Sequence, residues 1–216
     1  MNRDTSPHRS TDTSPIVFVV DDEASMREAL ASLFRSVGVR VETFSSAAEF
    51  LERPDPDAPS CLVLDVRLQG SSGLDFQRQL IEANINLPII FMTGHGDIAM
   101  SVKAMKAGAL DFLVKPFRDQ DLLDAVSAAH RTDASRRELR KQDSGLHACY
   151  QLLTAREREV MAYAARGLMN KQIASEMNLS EITVKIHRGH AMKKMQAKSF
   201  ADLVRMAESL GIGEKR

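Results

Sequence analysis

The chain has 216 residues, 44% of them apolar and 27% charged, with a formal net charge of zero. That composition describes an ordinary globular protein long enough for one or two domains, and it excludes a low-complexity or fibrous chain. The zero conceals an asymmetry: residues 1–130 hold 12 Lys and Arg against 19 Asp and Glu, whereas residues 131–216 hold 17 against 10. An acidic half (−7) followed by a basic half (+7) points to two domains with different partners, the basic one a candidate for nucleic acid.

No apolar run approaches the ~20 residues of a membrane span, and the N-terminus lacks the apolar core of a signal peptide. The expected location is the cytoplasm, with no membrane partner. Cys61 and Cys149 are expected as reduced thiols, and they lack the clustering of a metal site.

Residues 1–14 are rich in Ser, Thr, Asp and Pro and are expected to form a disordered tail. Ile16–Val20 (IVFVV) reads as a strand buried on both faces, and it runs straight into Asp21-Asp22. Met26, Leu30, Leu33, Phe34 and Val37 then recur at helical spacing up to Gly38. Residues 39–44 (VRVETF) alternate as a half-exposed edge strand does, and Phe50 and Leu51 close a short helix before a Pro-rich loop. Cys61–Asp65 (CLVLD) is a second fully buried strand, ending on a carboxylate. A turn at 70–73 leads into a helix carrying Leu74, Phe76, Leu80 and Ile81.

The fourth strand, 88–92 (PIIFM), ends at Thr93. A helix marked by Ile98, Val102 and Met105 follows, and the fifth strand, 110–114 (LDFLV), ends at Lys115-Pro116. Leu122, Leu123 and Val126 mark a fifth helix. Five strands alternating with five helices predict a doubly wound, five-stranded parallel sheet in an α/β domain over 15–130. Residues 131–148 are charged and poor in apolar side chains, and are expected to form either a linker continuing the preceding helix at its start or the solvated face of one long helix. Residues 149–216 carry only helical signals and predict a small all-α domain.

Asp21, Asp22, Asp65, Thr93 and Lys115 all fall at the C-terminal ends of predicted strands, where ligands of open α/β sheets bind. Carboxylates gathered this closely repel one another and call for a cation. Mg²⁺ suits them, because it takes a few carboxylates and bridges to phosphate oxygens. Val20-Asp21-Asp22-Glu23, Leu64-Asp65-Val66-Arg67, Thr93-Gly94-His95-Gly96-Asp97 and Asp111–Phe117 (DFLVKPF) together resemble the receiver domain of two-component response regulators.

That resemblance implies roles for the matching residues. Asp65 is the phosphoryl acceptor from a sensor histidine kinase. Asp21, Asp22, Asp65 and the backbone carbonyl of Arg67 hold Mg²⁺. Lys115 pairs with the phosphoryl oxygens, Thr93 hydrogen-bonds one of them, and Phe112 is the aromatic switch. The Lys115-Pro116 bond is expected cis. Where relatives usually carry Met-Pro after the phosphorylated strand, this chain has Leu68-Gln69. Arg67 and His95 occupy positions that tune hydrolysis in relatives, although His95 by itself reads as a solvent-exposed loop residue. A haloacid dehalogenase phosphatase would need a second Asp two residues past Asp65. Arg67 stands there, so that class fails and no enzyme is expected.

In the C-terminal part, Thr154-Ala155-Arg156-Glu157 is a capping box that opens a helix ending at Gly167. Asn170 reads as the cap of a short helix to Met177. Asn178-Leu179-Ser180 makes a turn, and Ser180 caps a basic helix from Glu181 to about Gln196. The arrangement is a helix-turn-helix. Leu153–Ser199 resembles the LuxR-type DNA-binding domain and, joined to the receiver, the FixJ/NarL group of transcription regulators.

At ~100° per residue, Val184, His187, Ala191 and Met195 share the inner face of the basic helix, whereas Ile182, Lys185, Ile186, Gly189, His190 and Lys193 face outward. Lys185 can donate to guanine or to phosphate, Ile186 can pack on a thymine methyl, and Gly189 lets the backbone approach the groove. Arg188, Lys194 and Lys198 are expected on phosphates. The resemblance further implies a homodimer on phosphorylation, promoter DNA and RNA polymerase as partners. The competing reading is an adaptor whose C-terminal helices bind a protein.

Overall fold

The computed structural model describes residues 13–54, 56–94 and 98–213, with the side chains of residues 71, 98 and 99 left aside. All but the end of the expected tail, and His95, lie outside the described residues. The chain divides into two compact units, one up to Arg137 and one from Glu138 onward.

In the first unit, β1 (Ile16–Val20) is followed by α1 (Ala24–Ser36), β2 (Arg40–Phe44), α2 (Ala47–Leu51) and β3 (Ser60–Asp65). Two-residue strands β4 (Arg67–Leu68) and β5 (Ser71–Ser72) pair antiparallel and lead into α3 (Gly73–Glu82). Then come β6 (Ile89–Thr93), α4 (Ile98–Lys106), β7 (Asp111–Val114) and α5 (Asp119–Gln151). Five strands form one parallel sheet in the order β2-β1-β3-β6-β7. The order reverses at β1, which opens a crevice between the ends of β1 and β3.

The period-2 alternation of each strand splits the core into two layers. Phe18, Val20, Leu62, Leu64 and Phe91 point to one face, where Phe50, Phe76, Leu80 and Ala104 cover them. Val17, Val19, Cys61, Val63, Ile90 and Met92 point to the other, under Leu30, Phe34, Leu122 and Val126. Both sides of the middle strands are therefore dry, which is why they read as unbroken apolar runs. Leu68 is buried in the first layer, and its pairing with Ser71 fastens the segment that carries Leu68-Gln69.

The stretch 131–148, expected as a linker or as the solvated face of one long helix, is helical throughout, and the division between units falls inside it. Its charge is partly an anchor. Asp133 is 1% exposed, and its carboxylate accepts from the Ser60 amide (2.9 Å), Arg136 Nη2 (2.8 Å) and Arg137 Nε (2.6 Å). Burial pushes the Asp133 carboxyl up, but the two guanidiniums and the amide outweigh it and hold the carboxyl below the ordinary range.

The second unit comprises the end of α5 with α6 (Ala155–Ala165), α7 (Asn170–Met177), α8 (Glu181–Lys194) and α9 (Phe200–Ser209). The Thr154–Glu157 capping box forms as expected. Ser180 caps α8 through the Thr183 amide (3.1 Å). The cap of α7 is Met169 and not Asn170: Asn170 is already helical, and its side-chain oxygen accepts from Arg188 Nη1 (3.1 Å). Asn178, at φ 53°, turns α7 into α8, where the short side chain of Asn tolerates the left-handed region.

Candidate functional site

Because the sheet is parallel, every strand delivers its last residue to one edge. Asp21 follows β1, Asp65 ends β3, Thr93 ends β6 and Lys115 follows β7. The Lys115 amide donates to the Thr93 carbonyl (2.7 Å), which carries the ladder one step past β7. The Lys115-Pro116 bond is cis, as expected. Lys115 Nζ then donates to Asp21 Oδ2 at 2.9 Å and lies 3.7 Å from Asp65 Oδ1.

Asp21 is fully buried, Asp65 is 9% exposed and Thr93 1%. Carboxylate oxygens of Asp21, Asp22 and Asp65 lie within 4.8 Å of one another. Burial pushes the Asp65 carboxyl up. Lys115 and the Arg67 amide pull it down, whereas Asp21 and Asp22 add to the rise. Three carboxylates facing one ammonium leave the pocket short of positive charge, and a hard oxygen-only donor set fits a small divalent cation. Phe112 is half-buried on β7, against the first core layer and 6.4 Å from the Phe91 ring centroid.

Two residues that the sequence reading left out shape this pocket. Gly73 opens α3 directly against the end of β3: a Cβ there would lie 2.4 Å from the Asp65 carbonyl oxygen and 3.2 Å from the Phe91 ring. Its amide donates to the Val66 carbonyl (2.8 Å). The only signal for it was the glycine-bounded turn at 70–73. Arg27 on α1 donates to the Asp21 carbonyl (2.7 Å), and no local pattern announced it.

On α8, Val184, Ala191 and Met195 are buried and His187 is half-buried. Lys185, Ile186, Gly189 and Lys193 are exposed on the opposite side, and Lys198 is exposed beyond the helix end. Two of the residues assigned to phosphates have other partners. Lys194 Nζ lies 2.7 Å from Oε2 of Glu157, a carboxylate 3% exposed, so it neutralises a buried charge on α6. Arg188 holds Asn170 and stacks over the Phe200 ring at 5.0 Å. Both were missed because the partners lie far away in sequence.

Residues 17–127 match the response regulator receiver domain model, and residues 151–207 match that of bacterial regulatory proteins of the luxR family. The chain belongs to the response regulators. Its relatives include nodulation protein W of Bradyrhizobium diazoefficiens, 59% identical over 95% of this chain and 90% of that protein. They also include the transcriptional regulatory protein FixJ of Rhizobium meliloti, 39% identical over 93% and 98%. The structure of the response regulator StyR superposes with a TM-score of 0.82 at 49% identity, covering 90% of this chain and 98% of that one. The response regulator is thus a phosphorylation-dependent transcription regulator, joining a receiver domain to a LuxR-type helix-turn-helix DNA-binding domain. Receiver domains bind Mg²⁺ at an acidic pocket of this kind. Among the described residues no helix is long and apolar enough to cross a membrane.

Proposed function

We propose that Asp65 accepts a phosphoryl group from the phosphohistidine of a sensor kinase, and that this acylphosphate controls DNA binding by the C-terminal domain. An Asp65 carboxylate oxygen attacks phosphorus while the P–N bond breaks, and the bonding pair returns to the imidazole nitrogen. The observation that carries the reading is the position of Lys115 Nζ, 2.9 Å from Asp21 and 3.7 Å from Asp65, within a cluster of three carboxylates. Asp21, Asp22, Asp65 and the Arg67 carbonyl would hold Mg²⁺, which when bound supplies charge neutralisation to the phosphoryl oxygens.

Lys115 already stands beside the acceptor, so its ammonium needs only to exchange a carboxylate partner for a phosphoryl oxygen. Thr93, one strand over, donates its hydroxyl to another phosphoryl oxygen. Phe112, half-buried on the next strand, turns inward as Thr93 moves. The product adds a charge of about −1.5 to −2 at one point, enough to draw a hydroxyl and its loop.

On the DNA side, Lys185, Ile186, Gly189 and Lys193 meet base edges or approach the groove, and Lys198 meets phosphate. Lys194 acts through Glu157 and Arg188 through Asn170, each fixing the recognition helix in its domain. The protein works in the cytoplasm as a homodimer when phosphorylated, bringing two recognition helices to two half-sites and contacting RNA polymerase. It is a single-turnover phosphoryl acceptor and not an enzyme acting on a separate substrate.

Incubation with acetyl phosphate and Mg²⁺ should add one phosphoryl mass, abolished in Asp65→Asn and in EDTA. Labelling of Asp65→Asn would overturn the assignment of the acceptor.

A further inference from the structure

The outer face of α8 carries an apolar feature that folding does not require. Ile182 is 72% exposed and Ile186 51%. Scattered exposed apolar side chains are ordinary, and this protein has others. These two differ because they stand one turn apart on the same line of the helix. With Gly189 and Lys193 they fall within roughly 60° of arc at 100° per residue. Val184 and Ala191, fully buried, lie on the opposite side.

The surroundings define what could cover this ridge. Lys185 and Lys193 are exposed beside it, so the occupant is anionic at its margins. Nothing lies within 4 Å of a Cβ built on Gly189, so the helix backbone is open to close approach on this side. An occupant with anionic edges and small apolar projections spaced along its floor is duplex DNA seen from the major groove. There the thymine 5-methyl is the apolar group presented among the base edges. Four residues advance about 6 Å along a helix, close to two base steps of ~3.4 Å. Ile182 is the second residue of α8, at the end that meets base edges in this motif.

We infer that Ile182 and Ile186 form a two-residue apolar reader that selects a pair of thymines about two steps apart in each half-site. The inference rests on the reading of α8 as the helix that enters DNA, and adds to it a second apolar contact, at Ile182, and the spacing of the two thymines. Lys185 reads a polar edge and anchors the helix, whereas the isoleucines discriminate by burying methyl groups and gain nothing from cytosine or uracil.

The test uses full-length protein treated with acetyl phosphate and a duplex selected by it from a random pool. The selected half-site is then synthesised with uracil in place of each thymine in turn, which removes one methyl and leaves every hydrogen-bonding group unchanged. Two replacements should each weaken binding about four-fold, the equivalent of ~0.8 kcal/mol per buried carbon. The variant Ile182→Ala/Ile186→Ala should bind the thymine duplex weakly and be indifferent to the same replacements. Both side chains are exposed, so its melting curve should match that of the unmodified protein. An enriched duplex bound equally well with uracil would overturn this inference alone. Failure to enrich any duplex would overturn the DNA reading of α8, and this inference with it.

Discussion

Two glycine-to-alanine substitutions, identical in chemistry, should act in opposite directions. At Gly73 a new Cβ would sit 2.4 Å from the Asp65 carbonyl oxygen, about 1 Å inside ordinary contact, with Val66 Cα at 3.1 Å and the Phe91 ring at 3.2 Å. Two of those atoms are backbone and the third belongs to a fully buried ring, so none can swing aside. The start of α3 or the end of β3 must move. Overpacking of this kind costs about 1–3 kcal/mol. For a domain of this size that lowers the melting temperature by roughly 5–10 °C. The displaced atom belongs to Asp65, the proposed phosphoryl acceptor, and a shift near 1 Å at a reacting group can cost on the order of 10²-fold in rate. At Gly145, inside α5, a Cβ meets nothing, and alanine should stabilise its helix by up to ~1 kcal/mol. Thermal melts and the rate of labelling by acetyl phosphate, run on both variants, provide the comparison. Wild-type melting and wild-type labelling in Gly73→Ala would refute the claim that this glycine sets the position of Asp65.

Lys194→Ala should destabilise the second unit by about 1–2 kcal/mol, the loss moderated because Lys194 is one-third exposed, and adding Glu157→Gln should recover part of it. Unchanged melting with weaker DNA binding would instead return Lys194 to a phosphate. The Asp133 and Glu157 carboxyls are both held below their ordinary values: burial pushes each up, and Arg136, Arg137 or Lys194 with Thr154 outweighs it. Each therefore contributes stability that is present at neutral pH and lost as pH falls below about 4. Asp133→Asn should shallow that acid limb in pH-dependent melts, and an unaltered limb would contradict the anchor. In limited trypsin digestion, cuts after Arg140 or Lys141 should precede cuts after Arg136 or Arg137, because Asp133 holds both guanidiniums; early cleavage at Arg137 would show the anchor to be loose.

What could be read from the sequence follows from what burial does to a pattern. Ile16–Val20 and Cys61–Asp65 were legible because a strand covered on both faces must be apolar throughout, and the residue after it must sit at the sheet edge. Thr93 and Lys115 were legible by the same rule. Charge, in contrast, looks alike whether solvated or buried in a network, so Asp133, Arg136 and Arg137 read as linker. Lys194 read as a phosphate ligand because Glu157, 37 residues earlier, is invisible to helical periodicity. Asn170 has the chemistry of a cap, but its oxygen accepts from Arg188, and the Met169 amide at the cap position donates to Gln172 Oε1 (2.8 Å). Gly73 was noticed as a turn residue, and only the approach of α3 to β3 reveals why no side chain fits.

The outer strip of α8 touches neither core of its domain, whereas Asp21, Asp65, Thr93 and Lys115 of the acidic pocket are tied into the parallel ladder. The two halves of the molecule are therefore exposed to change on different terms. With α8 as the proposed DNA reader, a duplicated copy of this protein would acquire new promoters by altering Ile182, Lys185, Ile186 or Gly189, with folding and phosphoryl chemistry intact. A comparable change at Asp21, Asp65, Gly73 or Lys115 would, on the proposed function, impair the phosphoryl chemistry itself. Divergence among such copies should begin on one 14-residue helix, with the input chemistry inherited unaltered.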